Sequence, residues 1–209
     1  MLTLEQYGVR LVRLNFGDLE LVRYWRNHSD VAEFMEYRRE ISEEMQAKWF
    51  QAINNKYNYY FIIEFEGKKI GLINSKDYDP ALGFGEGGIF IWDKNYINSF
   101  AAVFSTLCLL NFVFFTLKLC SLSRARILRT NDRAIHYNKM LGYKLLPGQE
   151  DVVNQLYELS LEDYSRVAKK LNEAATILSE GKGTLTYSGR VCEENLDEIN
   201  RLLSAAQPK

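Results

Sequence analysis

Three cysteines, two histidines and a formal charge of -1 across 209 residues are the scarcities that bound this sequence. Cys108, Cys120 and Cys192 show neither paired nor metal-type spacing, so no disulfide framework is expected and a reduced, cytoplasmic protein is the simple reading. His28 and His136 are not grouped with acids or cysteines, which argues against a metal site. Nucleic-acid binders carry a basic excess, and 26 Lys and Arg against 27 Asp and Glu leave none. The opening MLTLEQYGVR has no basic stretch leading into an apolar run, so a signal peptide is not expected. Internal repeats and low-complexity tracts are missing too.

What is present is ordinary for a globular chain: 47% hydrophobic and 25% charged residues, in a length that suits one domain, or one domain plus an appendage. One run stands out. FAAVFSTLCLLNFVFFTL, Phe100 to Leu117, is uncharged and close to membrane-spanning length. Ser105, Thr106, Asn111 and Thr116 interrupt it, and it sits between strand-like segments. A helix buried on more than one face is therefore expected, and no membrane partner.

Val9 to Leu14 alternates as a strand. Asp18 is placed to cap a helix to about Asn27, Ser29 to start a shorter one, and Ser42 to start another to about Asn54. Tyr59 to Phe65 and Lys69 to Ser75 flank Glu66-Gly67 as a hairpin. Gly85 to Trp92 is a strand, Ser99 to Lys118 the apolar helix and Arg124 to Thr130 a strand. Asn131 to Leu141 is a helix, and Tyr143 to Leu146 and Val152 to Leu159 are strands. The order predicts an α/β fold with a mixed sheet of about seven strands. After Ser160 two amphipathic stripes follow, Leu161 to Leu178 and Leu196 to Ala206. They are expected to pack over the Val103 to Phe115 surface, on the chain's own domain or on a second copy as a homodimer.

Certain stretches carry a resemblance: Trp25-Arg26-Asn27 with Val31, Trp49-Phe50, Phe61 to Glu64, Lys69-Ile-Gly71, Glu86 to Ile91, and above all Asn131-Asp-Arg-Ala134-Ile135 running into Lys139-Met-Leu-Gly142-Tyr143. With these spacings, residues 8 to 160 resemble the GNAT acetyltransferase superfamily. The branch they look most like is that of ribosomal-protein alanine N-acetyltransferases and their sugar-modifying relatives. The resemblance implies a mostly antiparallel sheet flanked by helices and an acyltransferase domain over residues 1 to 160; the amphipathic stripes beyond it read as a helical appendage over 161 to 209. It implies acetyl-CoA as co-substrate and a primary amine, on a small molecule or a peptide, as acceptor.

The same resemblance implies the site. Glu86 matches the family's usual base, against the alternative of a solvated strand-end carboxylate. Backbone groups near Ile91 and Trp92 would hold the thioester, as polarised acyl groups require. Phosphate would meet the helix start at Ile97, Asn98, Ser99, Phe100, Ala101 and Ala102. There the chain departs from the family pattern. Only Ala102 agrees, and Phe100 stands where glycine lets a backbone approach phosphate; a register shifted by two puts Asn98 at that special position. Asn131 would orient the cofactor arm while capping its helix, and Arg133 is placed to reach phosphate or solvent. Asn138 replaces the family's tyrosine acid, and Tyr137, about 100 degrees around the helix, cannot simply take over. Asn138 can hydrogen-bond a sulfur but cannot protonate a thiolate. Trp25, Arg26, Asn27 and His28 lie on the expected acceptor side, core packing being the alternative for Trp25. Tyr78 opens a polar, glycine-rich loop near the cleft, while Tyr57, Tyr59 and Tyr60 read as a sheet edge, with lining of the substrate cleft the alternative. Ile97, Phe100 and Asn138 keep a second reading open, a domain that retains the fold and binds a ligand without chemistry.

Overall fold

The computed structural model of the protein describes residues 1–79 and 81–189. They form nine strands: β1 (Thr3–Gln6), β2 (Val9–Arg13), β3 (Tyr59–Phe65), β4 (Lys68–Asp79), β5 (Phe84–Ile91), β6 (Leu122–Leu128), β7 (Lys144–Leu145), β8 (Asn154–Ser160) and β9 (Thr186–Ser188). The helices are α1 (Leu19–Asn27), α2 (Ser29–Ala32), α3 (Glu43–Ile53), α4 (Ala101–Asn111), α5 (Asp132–Met140) and α6 (Leu161–Leu178). One sheet contains all nine strands in the order β7-β8-β6-β5-β4-β3-β2-β1-β9. Every neighbouring pair is antiparallel except β5 and β6.

The sheet is thus two strands wider than the sequence predicts. The added pair, β1 and β9, are short and carry polar residues: Thr3 and Gln6 are buried at an edge where their alternation spans only four residues. Tyr7 and Gly8, both at positive φ, make the two-residue turn from β1 to β2. Gly71 has a different necessity. A Cβ there would lie 2.5 Å from the Phe90 carbonyl oxygen, so the close approach of β4 to β5 requires glycine.

Both sheet faces are covered. In β3 alternate residues divide between them: Tyr59, Phe61 and Ile63 pack with α4, while Tyr60 and Ile62 pack with Leu19, Val22, Val31 and Phe50 of the first three helices. Of three expected helix starts, one is as the sequence predicts and two differ in detail. Ser42 caps α3 as expected, accepting from the Met45 amide. Asp18 makes no capping bond; its carboxylate takes Lys69 Nζ at 2.6 Å, and Asn15 caps the single turn before α1. His28, not Ser29, caps α2 through Nδ1.

The apolar run forms α4 and then a wider π-helix over Phe112–Leu117, ending at Lys118 with φ 54°. Eight of the eleven α4 residues are buried, which accounts for its uncharged composition. No helix among the described residues is long and apolar enough to cross a membrane. α6 lies against α4: Tyr164 packs on Phe114 and Phe115 and donates to Asn111 Oδ1 at 2.9 Å. The expected second tail helix, Leu196 to Ala206, lies outside the described residues.

Candidate active site

The Leu141-Gly142-Tyr143 signature ends α5 by a specific geometry. Gly142 adopts φ 100°, the Tyr143 amide returns to the Asn138 carbonyl at 3.0 Å, and the Gly142 amide returns to Lys139. This crossed pair of bonds is the Schellman cap, which favours glycine at its left-handed position. The residues on either side, Leu141 and Tyr143, are buried. At the other end Asn131 Oδ1 accepts from the Ala134 amide at 3.1 Å and starts α5. The motif therefore fixes α5 at both ends against the sheet.

The central feature lies between β5 and β6. They pair at only three positions, Phe84 with Leu122, Gly85 with Ser123 and Glu86 with Arg124, and have no paired residues beyond. From Gly87 onward the strands splay. A cavity of about 1290 Å³ fills the gap and reaches from α1 and α3 on one side to the starts of α4 and α5 on the other. Backbone amides and carbonyls of β5 and β6 along the gap lack a strand partner, so an extended amide-bearing ligand can take their place.

At the α4 start, the Ala101 amide is satisfied by Ser99 Oγ, while those of Ala102 and Val103 have no acceptor among the described residues. Such free first-turn amides suit an anion. Arg133 donates to the Ile97 carbonyl and ties α5 to this loop. Phe100 does not crowd the approach: its ring stacks on Phe104 with centroids 5.8 Å apart and is not part of the cavity wall. Neither Phe100 nor Asn98 has positive φ, so this loop uses no left-handed residue in place of the family glycine.

Glu86 lies at the point of the splay. Its two carboxylate oxygens face two cations, Oε1 at 3.0 Å from Lys76 Nζ and Oε2 at 3.2 Å from Arg126 Nε. Burial lowers the Lys76 pKa, but hydrogen bonds to Asp77 and Glu86 outweigh that, and the amine is held above its usual range as a cation. Asn74 Nδ2 donates to the Glu86 backbone carbonyl at 3.3 Å. Lys76 and Arg126 escaped the sequence reading because they reach Glu86 only through strand register: Lys76 pairs directly with Glu86, and Arg126 lies two residues beyond its β6 partner.

On α5, Asn138 Nδ2 donates to the Ala134 carbonyl at 2.8 Å. The Tyr137 hydroxyl bonds the Ala102 carbonyl at 3.0 Å and Thr106 Oγ1, locking α5 to α4. Burial, partly offset by Thr106, holds the Tyr137 phenol well above its usual range. Another phenol in the cavity wall is Tyr143, whose hydroxyl lies 2.7 Å from Ser123 Oγ. Burial pushes its pKa up to about 12.

Ten of the residues singled out from sequence line this cavity: Arg26, Glu86, Ile91, Ile97, Asn98, Ser99, Ala102, Asn131, Arg133 and Asn138. The others do not. Ala101 is buried in the core. Trp92 gives its amide to the Ile70 carbonyl and its indole N–H to Lys69, so neither is free for a ligand. Trp25 stacks on Trp92, 6.2 Å between centroids, which is its packing role. Asn27 exchanges two hydrogen bonds with the Ile41 backbone and braces the loop before α3. Tyr78 packs against the core, and its amide bonds the Tyr57 carbonyl. Tyr60 belongs to the middle of the sheet, not an edge, and does face the cavity.

Comparisons with known proteins agree with this geometry. A family model described as the acetyltransferase (GNAT) domain matches residues 9–144. Among solved structures, FdhC, described as a nucleotide-linked sugar GNAT, superposes with TM-score 0.68 at 22% identity over 83% of this chain and 97% of its own. Spermidine N-acetyltransferase from Vibrio cholerae, in complex with CoA and spermine, gives TM-score 0.66 at 18% identity over 76% and 98%. A domain from Methanocaldococcus jannaschii gives 0.64 at 22% identity over 73% and 98%. No curated protein matches by sequence.

Proposed function

The chain belongs to the GNAT acetyltransferase family, and from that premise we propose that it moves an acetyl group from acetyl-CoA to a primary amine by direct attack. The observation that carries this reading is the three-position β5–β6 ladder opening toward the starts of α4 and α5. The co-substrate supplies the activated thioester, and the protein supplies its surroundings. The free amides of Ala102 and Val103, with Arg133 beside them, would hold its phosphates. The unpaired β5 edge offers N–H donors to the carbonyl oxygen as charge develops there. Asn131 fixes the start of α5 beside the arm.

Glu86 accepts the proton of the attacking amine through a water molecule. Lys76 and Arg126, one on each carboxylate oxygen, hold it aimed. Asn138 holds the α5 backbone and has no proton to give, so the departing thiolate is reprotonated from water or from Tyr143. Within the family, the sequence resemblance to the ribosomal-protein alanine branch and its sugar-modifying relatives puts a peptide N-terminus or an amino sugar among the acceptors.

Calorimetry with acetyl-CoA and CoA is the first test, followed by a panel of amines with detection of released thiol. Micromolar binding and thiol release are expected, with Glu86→Gln lowering kcat by about 10²- to 10⁴-fold. No binding at millimolar co-substrate would remove the enzymatic reading and leave a ligand-binding domain of the same fold.

A further inference from the structure

Arg26 and Gln46 line the acceptor half of the cavity, and neither has a hydrogen-bonding partner for its side chain among the described residues. Arg26 projects from α1, half-buried, with its guanidinium 6.0 Å from the centroid of the Phe90 ring. Gln46, on α3, is 4% exposed, and its Nε2 donor is buried without an acceptor. An arginine stays protonated at any physiological pH, and a buried donor without an acceptor is costly. Most proteins satisfy such groups. Two of them in the wall of one cavity signify acceptors that arrive with a ligand.

The carboxylates of that wall do not supply them. Asp30 is taken by Lys94 at 2.6 Å, Glu36 accepts from Asn154 Nδ2 at 3.0 Å, and Glu86 lies between Lys76 and Arg126. None of them is paired with Arg26, whose charge is left for an anion that a ligand brings. Tyr60 relates the two ends of the site. Its hydroxyl feels both Arg26 and the Lys76–Glu86 pair, and burial pushes its pKa up to about 12.

We propose that the acceptor amine carries an anionic group, a carboxylate or a phosphate, which Arg26 and Gln46 bind while the amine lies toward Glu86. This rests on the acyltransferase reading for the amine and the base, and on the two unpartnered donors for the anion. Arg26 offers a planar fork suited to either anion, and Gln46 adds a donor from the facing helix.

The test is calorimetry on the full chain saturated with CoA. The probes are ω-amino carboxylates of increasing chain length, their primary amides, their phosphonate counterparts, and spermidine. An anionic member is expected to bind at least about tenfold more tightly than its amide, the size of one charge-assisted contact. Carboxylate against phosphonate identifies which anion the site takes. Arg26→Gln should abolish the preference while CoA affinity is retained, and Gln46→Leu should reduce it. Should Arg26→Gln fail to fold, Arg26→Lys and Gln46→Leu carry the comparison, each weakening the anion relative to the amide. Equal binding of anions and amides, tighter binding of spermidine, or no binding by any probe overturns the proposal. Anion preference in a protein that binds no CoA would instead sink the acyltransferase reading and leave the anion site standing.

Discussion

The Tyr143 and Ser123 hydroxyls are 2.7 Å apart, and both residues are buried. Each satisfies the other beside Gly87, where β5 and β6 part. Tyr143→Phe leaves Ser123 Oγ with no listener of its own kind, and an unsatisfied buried hydroxyl costs about 1–3 kcal/mol. A drop of that size in unfolding free energy by urea titration is expected; unchanged stability would mean the bond contributes nothing. At this scale the sequence was legible where a side chain serves its own backbone. Asn131 and Ser42 carry out their expected local work, because caps depend on neighbours along the chain. It was opaque where function comes from strands distant in sequence, as for Lys76 and Arg126 on Glu86, or Gln46 facing the same cavity as Arg26.

Among the elements, α4 depends on polar contacts that its apolar sequence does not advertise. Asn111 Nδ2 donates to Gln6 Oε1 at 3.1 Å and to Asn172 Oδ1 at 3.3 Å, while its Oδ1 accepts from Tyr164. Tyr7 donates to Asn172 Oδ1 at 2.8 Å, and Gln6 donates to the Gly183 carbonyl. One buried asparagine thus joins β1, α4 and α6. Asn111→Leu should strand the Tyr164 hydroxyl and the Gln6 carbonyl, at about 1–3 kcal/mol for each group. Thermal melting checks this, and a melting temperature within a degree or so of the parent would refute the network's importance. The helix itself was evident from composition, since an uncharged run must be covered on several sides. The strands β1 and β9 were not, because four and three residues give too little alternation for a period to show.

For the molecule as a whole, burial of phenols sets an alkaline limit. Tyr7, Tyr60 and Tyr143 are each pushed by burial from the ordinary 10.0 up to about 12. A raised folded value means that folding favours the neutral phenol. The associated stability is complete below pH 10.0, the value of the unfolded phenol, and is lost as pH rises toward about 12. Denaturation midpoints should fall across that window together with the rise of tyrosinate absorbance. A flat midpoint while the phenols ionise would contradict this.

The three-rung junction between β5 and β6 also gives the sheet four edges instead of two. The outer ones, β7 and β9, are two and three residues long, too short to recruit another chain readily. The inner ones are long and lie inside the molecule, where α4 and α5 screen them from a foreign strand but a slender amide-bearing arm can still enter. A ligand lying there would complete a ladder that the polypeptide leaves unfinished. The same unfinished ladder becomes a template for aggregation once heat or denaturant draws either helix away.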